Sequence, residues 1–122
     1  MKKSICSAIG MLLVASTVFA QVIKNPSNAE FTASVDHAQL TKYIIGFFLA
    51  GAVDPVQTAD LGKPTPDVSN VIKVSINVMP LTFGAAYTAK VKAIAGTAES
   101  VWSDASNPFD RAPGQPSKPV IK

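Results

Sequence analysis

The sequence predicts an all-β fold, a sandwich of about seven short antiparallel strands. Three observations lead there. Several segments alternate apolar and polar residues with period two. Gly, Pro and Asp punctuate them at short intervals, and no segment carries an apolar stripe at helical spacing. The chain of 122 residues has room for one ordinary domain. Its apolar content of 48% is ample for a core and excludes intrinsic disorder of the body.

The first element, Met1–Ala20, has the three parts of a secretory signal. Lys2 and Lys3 make a positive start, Ile5 to Val18 is mostly apolar, and Val18-Phe19-Ala20 offers a cleavage site before Gln21. The apolar stretch is shorter than the ~20 residues of a membrane span, so a cleaved signal is expected rather than an anchor. Cys6 is the only cysteine, and it leaves with the signal. It lies at the very start of the apolar stretch instead of after it, which argues against lipid attachment. The exported chain then has neither disulfide nor thiol, and its core alone must hold it. Without Lys2 and Lys3, nine basic residues face eight acidic ones. A near-neutral domain lacks the basic stripe that nucleic-acid binding needs.

The strands follow in order. Phe31, Ala33 and Val35 alternate with Thr32, Ser34 and Asp36. Tyr43 to Leu49 is apolar on both faces, as in a central strand. The apolar run from Tyr43 to Val53 is too short to cross a membrane. Ile72, Val74, Ile76 and Val78 give the cleanest alternation, and Tyr87, Ala89, Val91 and Ala93 the next. In each, one face is apolar and the other wet, as in an antiparallel sheet over one core.

Turns separate these runs: Asp54-Pro55, the loop Leu61–Asp67 with two prolines, the corner Pro80–Gly84, and the hairpin Gly96–Glu99. Asn107-Pro108 is expected to end the last strand. The chain thus divides into a signal (1–20), a sandwich (21–110) and a Pro-rich flexible tail (111–122). Pro113, Pro116 and Pro119 in the tail are spaced by three, the repeat of polyproline II. A stiff, solvated tail is the expectation, ahead of a docking peptide.

Around Tyr87 the chain resembles a fibronectin type III domain, an immunoglobulin-like sandwich. Leu81 precedes Tyr87 by six residues, and Val91 and Ala93 follow in phase. This is similar to the family's tyrosine corner, whose phenol ties a crossover loop to the backbone. Gly96 and the run Glu99–Pro108 look like its serine-rich last strand, and Tyr43-Ile44-Ile45-Gly46-Phe47 like its third. The resemblance covers Pro26 to Phe109. It departs where the family has a tryptophan in its second strand, since only Phe31 or Val35 is there to fill that space. The chain is further similar to small exported bacterial proteins made of a signal and one such domain. The resemblance implies a role in adhesion, spacing or recognition, with no shared active site.

Catalytic constellations are nearly absent from the sequence. His37 is the only histidine, and its neighbour Asp36 would point to the opposite face of a strand. A solvent-exposed turn is therefore expected there rather than a base oriented by a carboxylate. One His and no mature Cys argue against zinc or copper. Asp54, Asp60 and Asp67 share one connection, but their spacing matches no calcium loop. No nucleophile motif or phosphate-cradling glycine loop occurs. No cofactor and no enzyme activity are expected.

The remaining signal is a surface. If Tyr43, Ile45 and Phe47 point inward, Ile44 and Phe48 point outward, beside Lys90 and Lys92 of the neighbouring strand. These four residues form a candidate partner-binding face. The competing expectation is that lysine stems lie over the apolar pair and cover it. Function is then expected to be that of an exported, monomeric, non-enzymatic interaction module. Its partner would be a protein or an envelope polymer. The alternative is a carbohydrate-binding module using Phe48 and Trp102.

Overall fold

The computed structural model describes residues 22–122; the signal segment and Cys6 lie outside them. Eight strands form two sheets, with no α-helix among the described residues. They are β1 (Ile23–Lys24), β2 (Asn28–Thr32), β3 (Lys42–Leu49) and β4 (Gln57–Gly62), then β5 (Val71–Ser75), β6 (Ala86–Ala95), β7 (Ala98–Glu99) and β8 (Phe109–Asp110). The larger sheet runs β1-β8-β6-β3-β4, with β7 also on β6. The smaller contains β2 and β5 alone. Every pairing is antiparallel except β1 with β8.

The core lies between the sheets, and period-two alternation places it there. Tyr43, Ile45 and Phe47 of β3 and Tyr87 of β6 are at most 2% exposed. They meet Ile72 of β5, Phe109 of β8 and the loop residues Val78 and Leu81. Phe47 and Phe109 pack edge to face at 5.8 Å. β3 is apolar on both faces because it is central, with β4 on one side and β6 on the other.

Two buried tyrosines close the two ends of the core. The Tyr87 hydroxyl accepts the Thr82 N–H at 3.0 Å and lies 2.8 Å from the Thr82 hydroxyl. It fastens the corner between β5 and β6, where Gly84 takes a φ of 81°. At the other end the Tyr43 hydroxyl accepts the Ser34 N–H at 3.1 Å and lies 2.8 Å from His37 Nδ1. This second anchor shapes the turn after β2 and carries His37 onto the Tyr43 ring.

Three sequence expectations need correction. Val35 is 99% exposed, because the chain leaves the sheet at Ser34, whose hydroxyl accepts the Asp36 N–H. The last strand is not regular from Glu99 to Asn107, and it does not end at Pro108, since Phe109 and Asp110 pair with Tyr87 and Ala86. Arg111 and Ala112 also belong to the folded body. Arg111 donates to the Met79 and Leu81 carbonyls, and Ala112 exchanges two hydrogen bonds with the Asn25 side chain. β4 carries no alternation that would reveal it, being an edge strand with its Thr58, Ala59 and Asp60 all exposed.

Tyr87→Phe leaves the part-buried Thr82 N–H without its acceptor. An unfolding free energy lower by about 1–2 kcal/mol is expected from urea titration. Asp67 accepts the Ser69 and Val71 N–H groups, and Asp60 accepts Lys42 and the Gly62 N–H. These bonds hold both carboxyls below their ordinary 3.8. A carboxyl depressed in the folded state adds stability above its unfolded pKa and loses it as pH falls through the folded one. The urea midpoint is therefore expected to be flat near neutral pH and to fall progressively as pH approaches 3.8 and passes below it, with a smaller fall in Asp67→Asn.

Candidate recognition face

The outer face of the larger sheet carries the four residues singled out from the sequence. Ile44 lies opposite Lys92 and Phe48 opposite Thr88, while Gly46 lies opposite Lys90. All therefore share one side of the β3–β6 ladder, away from the core. Trp102, expected beside Phe48 only in a carbohydrate-binding module, organises this face.

Trp102 reaches the face because the chain beside β6 advances three residues for every two of the strand. Ser100, Ser103 and Ser106 donate their N–H groups to the carbonyls of Ala93, Val91 and Ala89 at 2.9, 2.8 and 2.8 Å. Their hydroxyls accept the N–H groups of the same three residues at 2.8, 3.0 and 2.9 Å. Each hydroxyl in turn donates to the carbonyl of the residue that follows it. A serine side chain thus stands where an ordinary strand would offer a backbone carbonyl. Three residues fit into two strand steps, about 2.2 Å per residue against about 3.3 Å in a strand. The signal was in the sequence as Ser-x-x-Ser-x-x-Ser, a period of three among periods of two.

From this compressed segment the Trp102 ring folds across β6 onto β3. It meets Phe48 edge to face at 5.2 Å. It has room because residue 46 is glycine: a Cβ there would stand 2.9 Å from Trp102 Cη2 and 3.0 Å from Phe48 Cε1. The lysines complete the cover. Lys90 Nζ lies 4.8 Å from the centre of the Phe48 ring and Lys92 Nζ 4.7 Å from that of Trp102. Phe48 has no exposed surface at all. It points outward, as expected, but presents nothing to a partner. The Lys90 side chain and the indole lie against it. Ile44 and Trp102 remain half-buried, and Phe83 lies away from this face under the Arg111 guanidinium.

The charges on the face differ in state. Lys92 pairs with Glu99 at 2.6 Å and Lys42 with Asp60 at 2.9 Å. Lys90 has no carboxylate within ion-pair distance among the described residues. The other sequence candidates lie apart. His37 begins a 3-10 turn and is occupied with Tyr43, while Asp36 makes no side-chain cap there. Asp54 sits in the turn before β4, Asp60 on β4, and Asp67 caps its own loop with backbone N–H bonds. Among the described residues no three His, Cys, Asp or Glu side chains gather as metal ligands. No described helix is long and apolar enough to cross a membrane.

Gly46→Ala is the direct probe of this arrangement. The added methyl collides with the indole, and a loss of about 1–3 kcal/mol is expected from overpacking. Trp102 fluorescence should report a more solvated ring in the same variant.

No protein-family model, curated protein or solved structure matches this chain.

Proposed function

We propose that the chain is an exported, non-enzymatic interaction module of fibronectin type III kind. On this reading it recognises a protein or cell-envelope polymer through the outer face of its larger sheet. Export rests on the Met1–Ala20 leader. The family assignment is supported by a β2-β5 sheet facing β1-β8-β6-β3-β4, and by the Tyr87 hydroxyl tied back to Thr82. The inward Tyr43, Ile45 and Phe47 of β3 agree with it.

One observation supports recognition at this face above the others. Lys90 is held over an aromatic ring and has no carboxylate within ion-pair distance among the described residues, so a cation is already ordered before anything binds. A flexible lysine loses side-chain entropy on binding, and one ordered in advance loses less. Ile44 and the free part of Trp102 flank it with apolar surface. The combination suits an anionic group carried on an apolar support. A carbohydrate platform on Phe48 and Trp102 has less behind it, because Phe48 is covered and one half-buried indole is left.

Cross-linking capture from envelope and secreted fractions, with purified Gln21–Lys122 as bait, tests the reading. The control is Ile44→Ser/Lys90→Ala, which leaves Phe48, Gly46 and Trp102 in place; its fold is checked by thermal unfolding. A partner captured by the wild type and lost in the control is expected. Equal capture by both would move recognition elsewhere, and no capture by either would contradict a recognition role.

A further inference from the structure

The smaller sheet is one strand short on one side. β2 pairs with β5 and with nothing else among the described residues. The Ala33 N–H reaches the Asn70 carbonyl and the Ile76 N–H reaches the Ser27 carbonyl, so odd-numbered backbone groups of β2 face β5. Antiparallel alternation then turns the N–H and C=O groups of Asn28, Glu30 and Thr32 to the open edge. β1 would be expected to cover that edge, but it is only two residues long and pairs with β8.

Beside this edge the sandwich is open. Two clefts lie end to end between β2 and the serine segment, of about 520 and 280 Å³. Their floor is apolar core, with Phe31, Tyr43 and Val91 in the first and Ala29, Ile76 and Phe109 in the second. Their rims are acidic. Glu30 lines one and Asp104 the other, and neither has a cation within ion-pair distance among the described residues. Glu30 stands in register with Lys73 of β5, and Lys92 at the rim is already engaged by Glu99. Unpaired strand groups over an apolar slot are the features that accept an added strand.

The chain itself carries a segment of matching chemistry. Val120 and Ile121 are 76% and 91% exposed, and Lys118 and Lys122 bracket them. We propose that the open edge of β2 receives the C-terminal segment Ser117–Lys122 of a second copy, its lysines facing Glu30 and Asp104. A molecule's own tail fits the slot poorly. Ala112 is tied to Asn25, just before β2. Running extended from there, the tail would reach Thr32 at about Pro119. That lays Pro113, Pro116 and Pro119 along the edge, so that either phase of the alternation leaves the ladder short of an N–H, whereas Ser117–Lys122 can turn its single proline away from β2; it also carries Val120 and Ile121 past the edge. Two β2 edges cannot pair symmetrically without some cost, since a two-fold axis at Glu30 sets it against its own copy. The contact is therefore head-to-tail and builds chains or rings, unlike the monomer expected from the sequence.

Amide shifts on labelled Gln21–Pro116, titrated with unlabelled Gln21–Lys122, decide this. The shortened chain lacks only exposed residues. Saturable shifts at Asn28, Glu30 and Thr32 are expected. Binding at least tenfold weaker is expected when Glu30→Lys/Asp104→Lys is the acceptor or Lys118→Glu/Lys122→Glu the donor, and recovery when both are used together. Absence of shifts at these amides, or shifts indifferent to the charge reversals, would overturn the proposal. So would a labelled full-length chain that shows the same shifts at every dilution, which would place the tail on its own edge.

Discussion

The structure depends on how the chain after Glu99 is fastened to β6. It makes no regular ladder there. Six hydrogen bonds from three serines, two to each of Ala93, Val91 and Ala89, replace one. Each is a modest bond of about 1 kcal/mol net, and all lie at an edge open to water. Trp102 adds what they lack. By folding over Gly46 it converts a polar edge contact into apolar burial against Phe48. The hydroxyls set the pitch, and the indole keeps the segment in place.

This fastening divides the surface of the protein. The outer face of the larger sheet loses its aromatic groups to packing and keeps cations, one of them unneutralised. The side next to β2 is left open, because the compressed segment stays on β6 and β1 turns to β8 instead of covering the smaller sheet. A domain whose single cysteine allows no internal disulfide thus carries both an ordered basic face and an unpaired edge on one small core.

The inward residues of β5 and β6 were legible in the sequence, because they alternate with polar partners and the core selects one face; β3, apolar on both faces, was legible as a central strand. Tyr87 was legible through its place in the alternation with Ala89, Val91 and Ala93, and its tie to the preceding corner was what the family resemblance implied. Val35 was not, because nothing local to the pattern announces that Ser34 is held by a tyrosine nine residues on. β4 was not, because an edge strand facing water needs no alternation. At the face, Ile44, Phe48, Lys90 and Lys92 were placed on one side correctly, since register follows from period two. Their cover was not readable, because Trp102 arrives by a three-residue step. Read with period two, the serines look like ordinary polar positions of a strand.

Native-state hydrogen exchange at Ala89, Val91 and Ala93 tests the central claim most directly. In the wild type these three amides, bonded to serine hydroxyls, are expected to exchange slowly and at similar rates. In Trp102→Ala all three are expected to accelerate together, while the β3 amides bonded across to β4 keep their protection. Unchanged exchange in Trp102→Ala would contradict the account, since the serines would then hold the segment without the indole.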